Sequence, residues 1–326
     1  MAWQQIDPKQ ILLEKIKAKG GWVNAHAHID RAFILSEANF HLTSAQLQQK
    51  WDYPDQYKRE ASVDDFYANM AKSIDLMISQ GVQAIGSFID VDPVIEDKAI
   101  RAAKRLRDNY AGKIEIKFIN QVIKGVIEPE ARKWFEVGAE FADIIGGLPE
   151  KDAGHEAKHL DILFETAKKN GGKPLHVHID QFNSPDQRDT ELLINKTIKH
   201  RYEGKVVAIH AISIGAQPRD YRQEIYKKMK DAGIMVVACP SAWIDSGRQE
   251  ILAPIHNSVT PVDEMIPTGI CVALGTDNIR DIYKPFSDGD MWTELRFLLE
   301  ASHFYDMDSL IEIATTNGLK ALFLEK

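Results

Sequence analysis

Four short segments of this 326-residue chain place histidine or aspartate where an apolar run stops: Asn24-Ala-His26-Ala-His28-Ile-Asp30, His176-Val-His178-Ile-Asp180-Gln181, Ile209-His210-Ala211 and Gly275-Thr276-Asp277-Asn278. Imidazole nitrogens with a carboxylate suit zinc, or iron in a similar geometry. The lack of cysteine among them argues against a purely structural zinc site. A divalent ion held this way lowers the pKa of a water to about 7 and so makes hydroxide at neutral pH. With 11 histidines in 326 positions, roughly 0.4 His-x-His triplets arise by chance, so His26 and His28 alone decide little. What the four segments share is their position, and that depends on the elements carrying them.

Eight runs rich in β-branched residues recur at 22–30, 84–91, 115–123, 144–149, 174–180, 206–213, 234–241 and 271–277. Each is followed by a longer stretch with apolar residues three or four apart, as at 63–80, 95–110, 156–170 and 188–198. Repeated βα units with eight parallel strands predict an α/β fold of the (β/α)8 TIM-barrel type. Dinucleotide binding has no support, because no glycine-rich turn follows the first strand. In a barrel the C-terminal strand ends form the active-site face, which is where all the polar groups lie. Strand alternation would put His26, His28 and Asp30 on one side, and His176 with His178 on another shared face.

No linker or low-complexity tract divides the chain, so residues 1–326 are expected to form a single barrel domain. The longest connection, 31–62, carries Phe33, Phe40, Trp51, Tyr53 and Tyr57, and leaves the active-site end of the first strand. It is read as a lid or as a helical insertion packing its aromatics. Forty basic and 48 acidic residues give a net charge of -8, which disfavours nucleic acid and anionic membranes and suits a small-molecule substrate. No apolar run reaches the length of a membrane span, and no signal-peptide core precedes Gly20. Cys239 and Cys271 read as buried apolar residues in a cytoplasmic protein.

The motifs His26-Ala-His28-Ile-Asp30, Asn120-Gln121, Gly147-Leu148-Pro149, His178-Ile-Asp180-Gln181, His210 and Gly275-Thr-Asp277-Asn278-Ile-Arg280-Asp281, in this order, resemble the amidohydrolase superfamily. Within it, they resemble the cytosine deaminase-like branch. The resemblance spans nearly the whole chain. It implies one divalent metal ion, zinc or iron, held by His26, His28, His178 and Asp277, with His210 beside the activated water; of the two histidines on the fifth strand's face it favours His178 and leaves the rival, His176, in a deeper layer or in support of the ligands. It implies catalysis by Asp277 and His210, and substrate contacts from Gln121, Gln181, Asn278 and Tyr283. A bridging lysine for a second metal is not evident.

Two positions depart from the cytosine deaminase pattern: Gln181 stands where that branch has a glutamate, and Asn278 where it has a second aspartate. Glutamine can orient a substrate but cannot shuttle a proton. The proton for the leaving group is then expected from Asp277, or from a less obvious acid such as Asp180. Asp90 and Asp92 are given no role, Arg280 and Asp281 are expected to brace one turn, and the histidines at 41, 155, 159, 200, 256 and 303 to lie on the surface. The barrel is expected to stand without the terminal β-sandwich common in the superfamily, and a homo-oligomer covering part of the helix ring would fit.

The expected activity is hydrolysis of a C–N bond in a small cyclic or heteroaromatic substrate, of the deaminase type. The alternatives are an amidase or ring-opening cyclic amidohydrolase, and a catalytically weak ligand-binding barrel.

Overall fold

The structure, a computed structural model, describes residues 6–45, 47–51, 53–245 and 259–325. Among the described residues eight strands form, β1 (Trp22–His28), β2 (Val82–Asp90), β3 (Glu115–Gln121), β4 (Ile145–Gly147), β5 (Leu175–Ile179), β6 (Val206–His210), β7 (Met235–Ala238) and β8 (Val272–Leu274). All pair in parallel, as β1-β2-β3 and β4-β5-β6-β7-β8. Single parallel bridges, Ile119 to Ile144 and Ala27 to Asp277, join the two sheets at both seams. The strands therefore run in the cyclic order of a (β/α)8 barrel.

Most strands end before their apolar runs do. The residues beyond curl over the barrel mouth, and Asp180, His210 and Asp277 take φ values of 53°, 73° and 59°. Left-handed backbone at non-glycine residues is uncommon and costs about 1 kcal/mol or more each, so three cases at one rim mark a place where side-chain direction outweighs backbone comfort.

The first strand departs from plain alternation. Its register with β2 shifts between Asn24 and Ala27. Below the shift, Val23 and Ala25 join the inner cluster with Phe88, Ile119, Ile209 and Leu322, while the Asn24 amide meets Met77 of the covering helix. Above it, His26 and His28 turn inward, with ring centroids 5.0 and 5.5 Å from Phe88. A bulge thus flips the strand's parity where the chemistry begins.

Helix starts follow local chemistry. Ser62 and Asp65 form a capping box for Val63–Ser79, whose Phe66, Met70, Ile74 and Met77 repeat along one buried face. The helix expected from residue 95 begins instead at Lys98, because the Asp92 carboxylate accepts from Val94 and Ile95 N–H and holds a turn there.

The segment 31–62 lies against the rim through short helical pieces, Phe40–Ser44, Leu47–Lys50 and Asp55–Glu60. Trp51 is buried, whereas Phe40 and Tyr53 are exposed. Buried Lys58 donates to Asp92 Oδ2 at 2.7 Å and lies 2.8 Å from Asp90 Oδ2. Asp90 and Asp92, read from sequence as having no role, thus anchor this segment to the end of β2. Lys98 adds bonds to the carbonyls of Lys58, Arg59 and Ala61.

Cys239 is buried and Cys271 half-buried, and both are free thiols. Among the described residues, no helix is long and apolar enough to cross a membrane.

Candidate active site

His26 and His28 from β1 reach Asp277, just past β8, with Nε2 atoms 3.3 and 3.2 Å from its Oδ1. This approach depends on Gly275, where a Cβ would stand 2.7 Å from His26 Cβ. It also depends on the seam itself, where the N–H groups of Thr276 and Asp277 donate to His26 O at 3.0 Å. From the other sheet, His178 and His210 bring their rings to 4.9 and 5.5 Å from His26. Side-chain donor atoms of His26, His28 and Asp277 converge, as do those of His26, His178 and His210.

Burial pushes the pKa of His26, His28 and His210 down to about 4, and drives His178 well below its ordinary value. Burial alone would raise Asp277, but the bonds from His26 and His28 outweigh it and hold the carboxyl well below the usual range. Neutral imidazoles around a carboxylate are the protonation states a divalent cation needs. Donors each about 2 Å from one ion stand about 3 Å apart, which matches the spacing around Asp277 Oδ1. His178 Nδ1 is bonded to Gly147 O at 3.2 Å, which leaves its Nε2 for the cluster. The residues present fit a divalent metal.

Over the cluster opens a pocket, about 490 Å³ with the space open to solvent included, walled by Arg31, Trp51, Gln121, Gln181, Asn278 and Tyr283, among others. The two glutamines present opposite polarity. Gln121 Oε1 accepts from Val122 N at 2.9 Å, leaving its NH2. Gln181 Nε2 donates to Glu150 Oε2 at 2.7 Å, leaving its oxygen. Asn278 is tied to Asp281, which also accepts from the N–H groups of Tyr283 and Lys284.

Several expectations need correction. Asp30 does not accompany His26 and His28; the strand has ended, and its carboxylate accepts from Asp90 N at 2.7 Å. His176, by contrast, has the deeper place expected of it beneath His178, where Nε2 donates to Ala321 O at 2.8 Å. Asp180 turns away from the pocket and accepts from Asp189 N and the N–H and hydroxyl of Thr190, so it anchors a helix rather than waiting as an acid. Arg280 stacks over Phe33 instead of bracing Asp281. His159 is fully buried and supports the 148–152 turn at both ends, through Leu148 N and the Asp152 carboxylate. Its place on the apolar face with Leu163 and Ala167 was a usable signal. His256 lies outside the described residues.

Sequence reasoning missed Glu150 and Arg31. Burial without a cation pushes Glu150 up to about 8. It also accepts from Gln187 Nε2 at 2.7 Å.

The model of the Amidohydrolase family matches residues 20–326. The chain belongs to that family. This amidohydrolase is a metal-dependent hydrolase of carbon–nitrogen bonds other than peptide bonds. It is 54% identical over 263 residues to an uncharacterized protein of Haemophilus influenzae, covering 79% of this chain and 95% of that one. It is 26% identical over 339 residues to N-isopropylammelide isopropyl amidohydrolase of a Pseudomonas species, covering 96% and 78%. Among solved structures, 5-methylcytosine deaminase from Klebsiella pneumoniae, liganded with 5-fluorocytosine, superposes with a TM-score of 0.86 at 23% identity, over 93% of this chain and 74% of that one. That likeness speaks for the fold.

Proposed function

We propose that this amidohydrolase is a deaminase-type enzyme that hydrolyses an exocyclic C–N bond of a small nitrogen heterocycle. The observation that carries the reading is the convergence of His26 and His28 Nε2 on Asp277 Oδ1, at 3.3 and 3.2 Å, beneath a cavity walled by amide and aromatic side chains. The relatives support it: one is named an isopropyl amidohydrolase and another a pterin deaminase.

His26, His28, His178 and Asp277 would hold one divalent ion. When bound, that ion supplies the Lewis acidity that makes water a nucleophile at neutral pH. Asp277 accepts the attacking water's proton and passes it to the departing nitrogen. His210 donates a hydrogen bond to the oxygen that becomes the product carbonyl. Gln121 offers the ring a donor, Gln181 offers it an acceptor while Glu150 is ionised and a donor once Glu150 is protonated, and Tyr283 and Trp51 cover its faces. The segment 31–62, which contributes Trp51, acts as the lid of the pocket.

The test is ammonia release from pyrimidines, triazines, purines and cyclic ureas by the enzyme loaded with zinc, iron or manganese. Asp277→Asn should lower turnover by about a thousandfold or more while the fold survives. Near-normal activity of that variant would remove Asp277 from its role. Ring-opened products without ammonia would point to a cyclic amidohydrolase, and no turnover under any metal to a ligand-binding barrel.

A further inference from the structure

Arg31 lies just past the end of β1, after Ile29 and Asp30, and lines the catalytic cavity, yet it is 4% exposed. Its Nε and Nη1 are buried and donate no hydrogen bond. The nearest carboxylate oxygen, Asp90 Oδ2, stands 3.5 Å from Nη1. That same oxygen lies 2.8 Å from the ammonium of Lys58, and Asp30 is turned to Asp90 N. Neighbouring acids therefore hold Arg31 in place without using its donors. The guanidinium lies over the ring of Tyr283, 5.2 Å from its centroid, in the same cavity wall. A buried guanidinium with idle N–H groups is costly unless a ligand completes it, and its planar fork matches an oxyanion best.

We propose that Arg31 is a specificity-determining residue, and that the substrate ring carries an oxyanion, either an ionised ring oxo group or a carboxylate, that receives its free donors. This rests on reading the cavity as the heterocycle site. Neutral rings lacking that oxygen leave the guanidinium unpaired and are rejected on that ground. The two sources share one chemistry, and separate probes distinguish them.

The experiment is equilibrium binding by calorimetry to the zinc-loaded full chain, at mildly alkaline pH. The probes are cyanurate for a ring oxyanion, orotate for a ring carboxylate, and uracil as the neutral comparison. The wild type should bind one of the anions at least about tenfold more tightly than uracil. Arg31→Ala should lose that preference and keep its affinity for uracil. Arg31→Lys, which keeps the charge without the fork, should retain part of the preference and serves if the alanine variant does not fold. A wild type that favours neither anion over uracil, or a variant that keeps the full preference, overturns the proposal. Failure of every ring to release ammonia would instead count against deamination, leaving the binding preference to be judged separately.

Discussion

The Gln181 amide takes its orientation from a group that does not reach the cavity. Gln187 Oε1 accepts from Phe182 N and the Ser213 hydroxyl, so its NH2 must face Glu150. The second oxygen of Glu150 then meets Gln181 either as an acceptor or, when protonated, as a donor that would turn the Gln181 amide around. Burial raises Glu150 from 4.5 to about 8, reinforced by Asp189 and Asp180 and opposed by the two glutamines. A folded-state pKa above the unfolded one means that the folded protein holds the proton more tightly. The associated stability is full below about pH 4.5 and is lost as pH rises towards about 8. Glu150→Gln mimics the protonated form, so we expect it to be more stable than the wild type at alkaline pH by on the order of 3 kcal/mol. That gap should close on acidification. Thermal melts of both proteins across this range check it, and a gap independent of pH would show that Glu150 does not titrate there. Nothing near Glu150 in the sequence announced this pairing, because Gln181 lies 31 residues away and meets it only through the fold.

At the scale of elements, the strand ends were legible because imidazoles and carboxylates interrupt apolar runs, and the barrel imposes one chemical face on all of them. Two features were not. The bulge in β1 reverses its parity, so His26 and His28 share a face while Asn24, of the same parity, points to the helix layer. The 31–62 segment shows no periodicity that reveals Lys58 as its anchor. With Asp90 and Asp92 both buried against its ammonium, Lys58→Met should leave Asp92 without a cation and Asp90 with only the 3.5 Å approach of Arg31, and destabilise the fold by about 3 kcal/mol. Denaturant titration measures the loss. A second readout is local, since the segment should become sensitive to proteolysis before the barrel unfolds. A variant as stable as the wild type, with the segment still protected, would show that the aromatic contacts suffice.

For the molecule as a whole, the seam between β1 and β8 is joined by backbone bonds between His26, His28, Thr276 and Asp277 at the mouth, whereas the lower barrel is plugged by the C-terminal helix through Leu322 and the bond from His176 to Ala321. The proposed ligands belong to both sheets: His26 and His28 to β1, His178 to β5 and Asp277 to the end of β8. A metal bound there would tie the two sheets across the mouth, so metal affinity should appear as stability of the entire barrel. Metal at 100 to 1,000 times its dissociation constant should add about 3–4 kcal/mol, and chelation should remove it. The two histidines of β5 separate the ends of the barrel. His178→Ala should abolish the metal-dependent increment and lower the bound metal, with a modest effect on the metal-free protein. His176→Ala should weaken the metal-free protein through the lost bond to the C-terminal helix, yet still gain the full increment when metal is added. Calorimetry with and without chelator, together with metal content, reads both. Full metal in His178→Ala, with a lost increment in His176→Ala, would reverse the assignment and make the lower histidine the ligand.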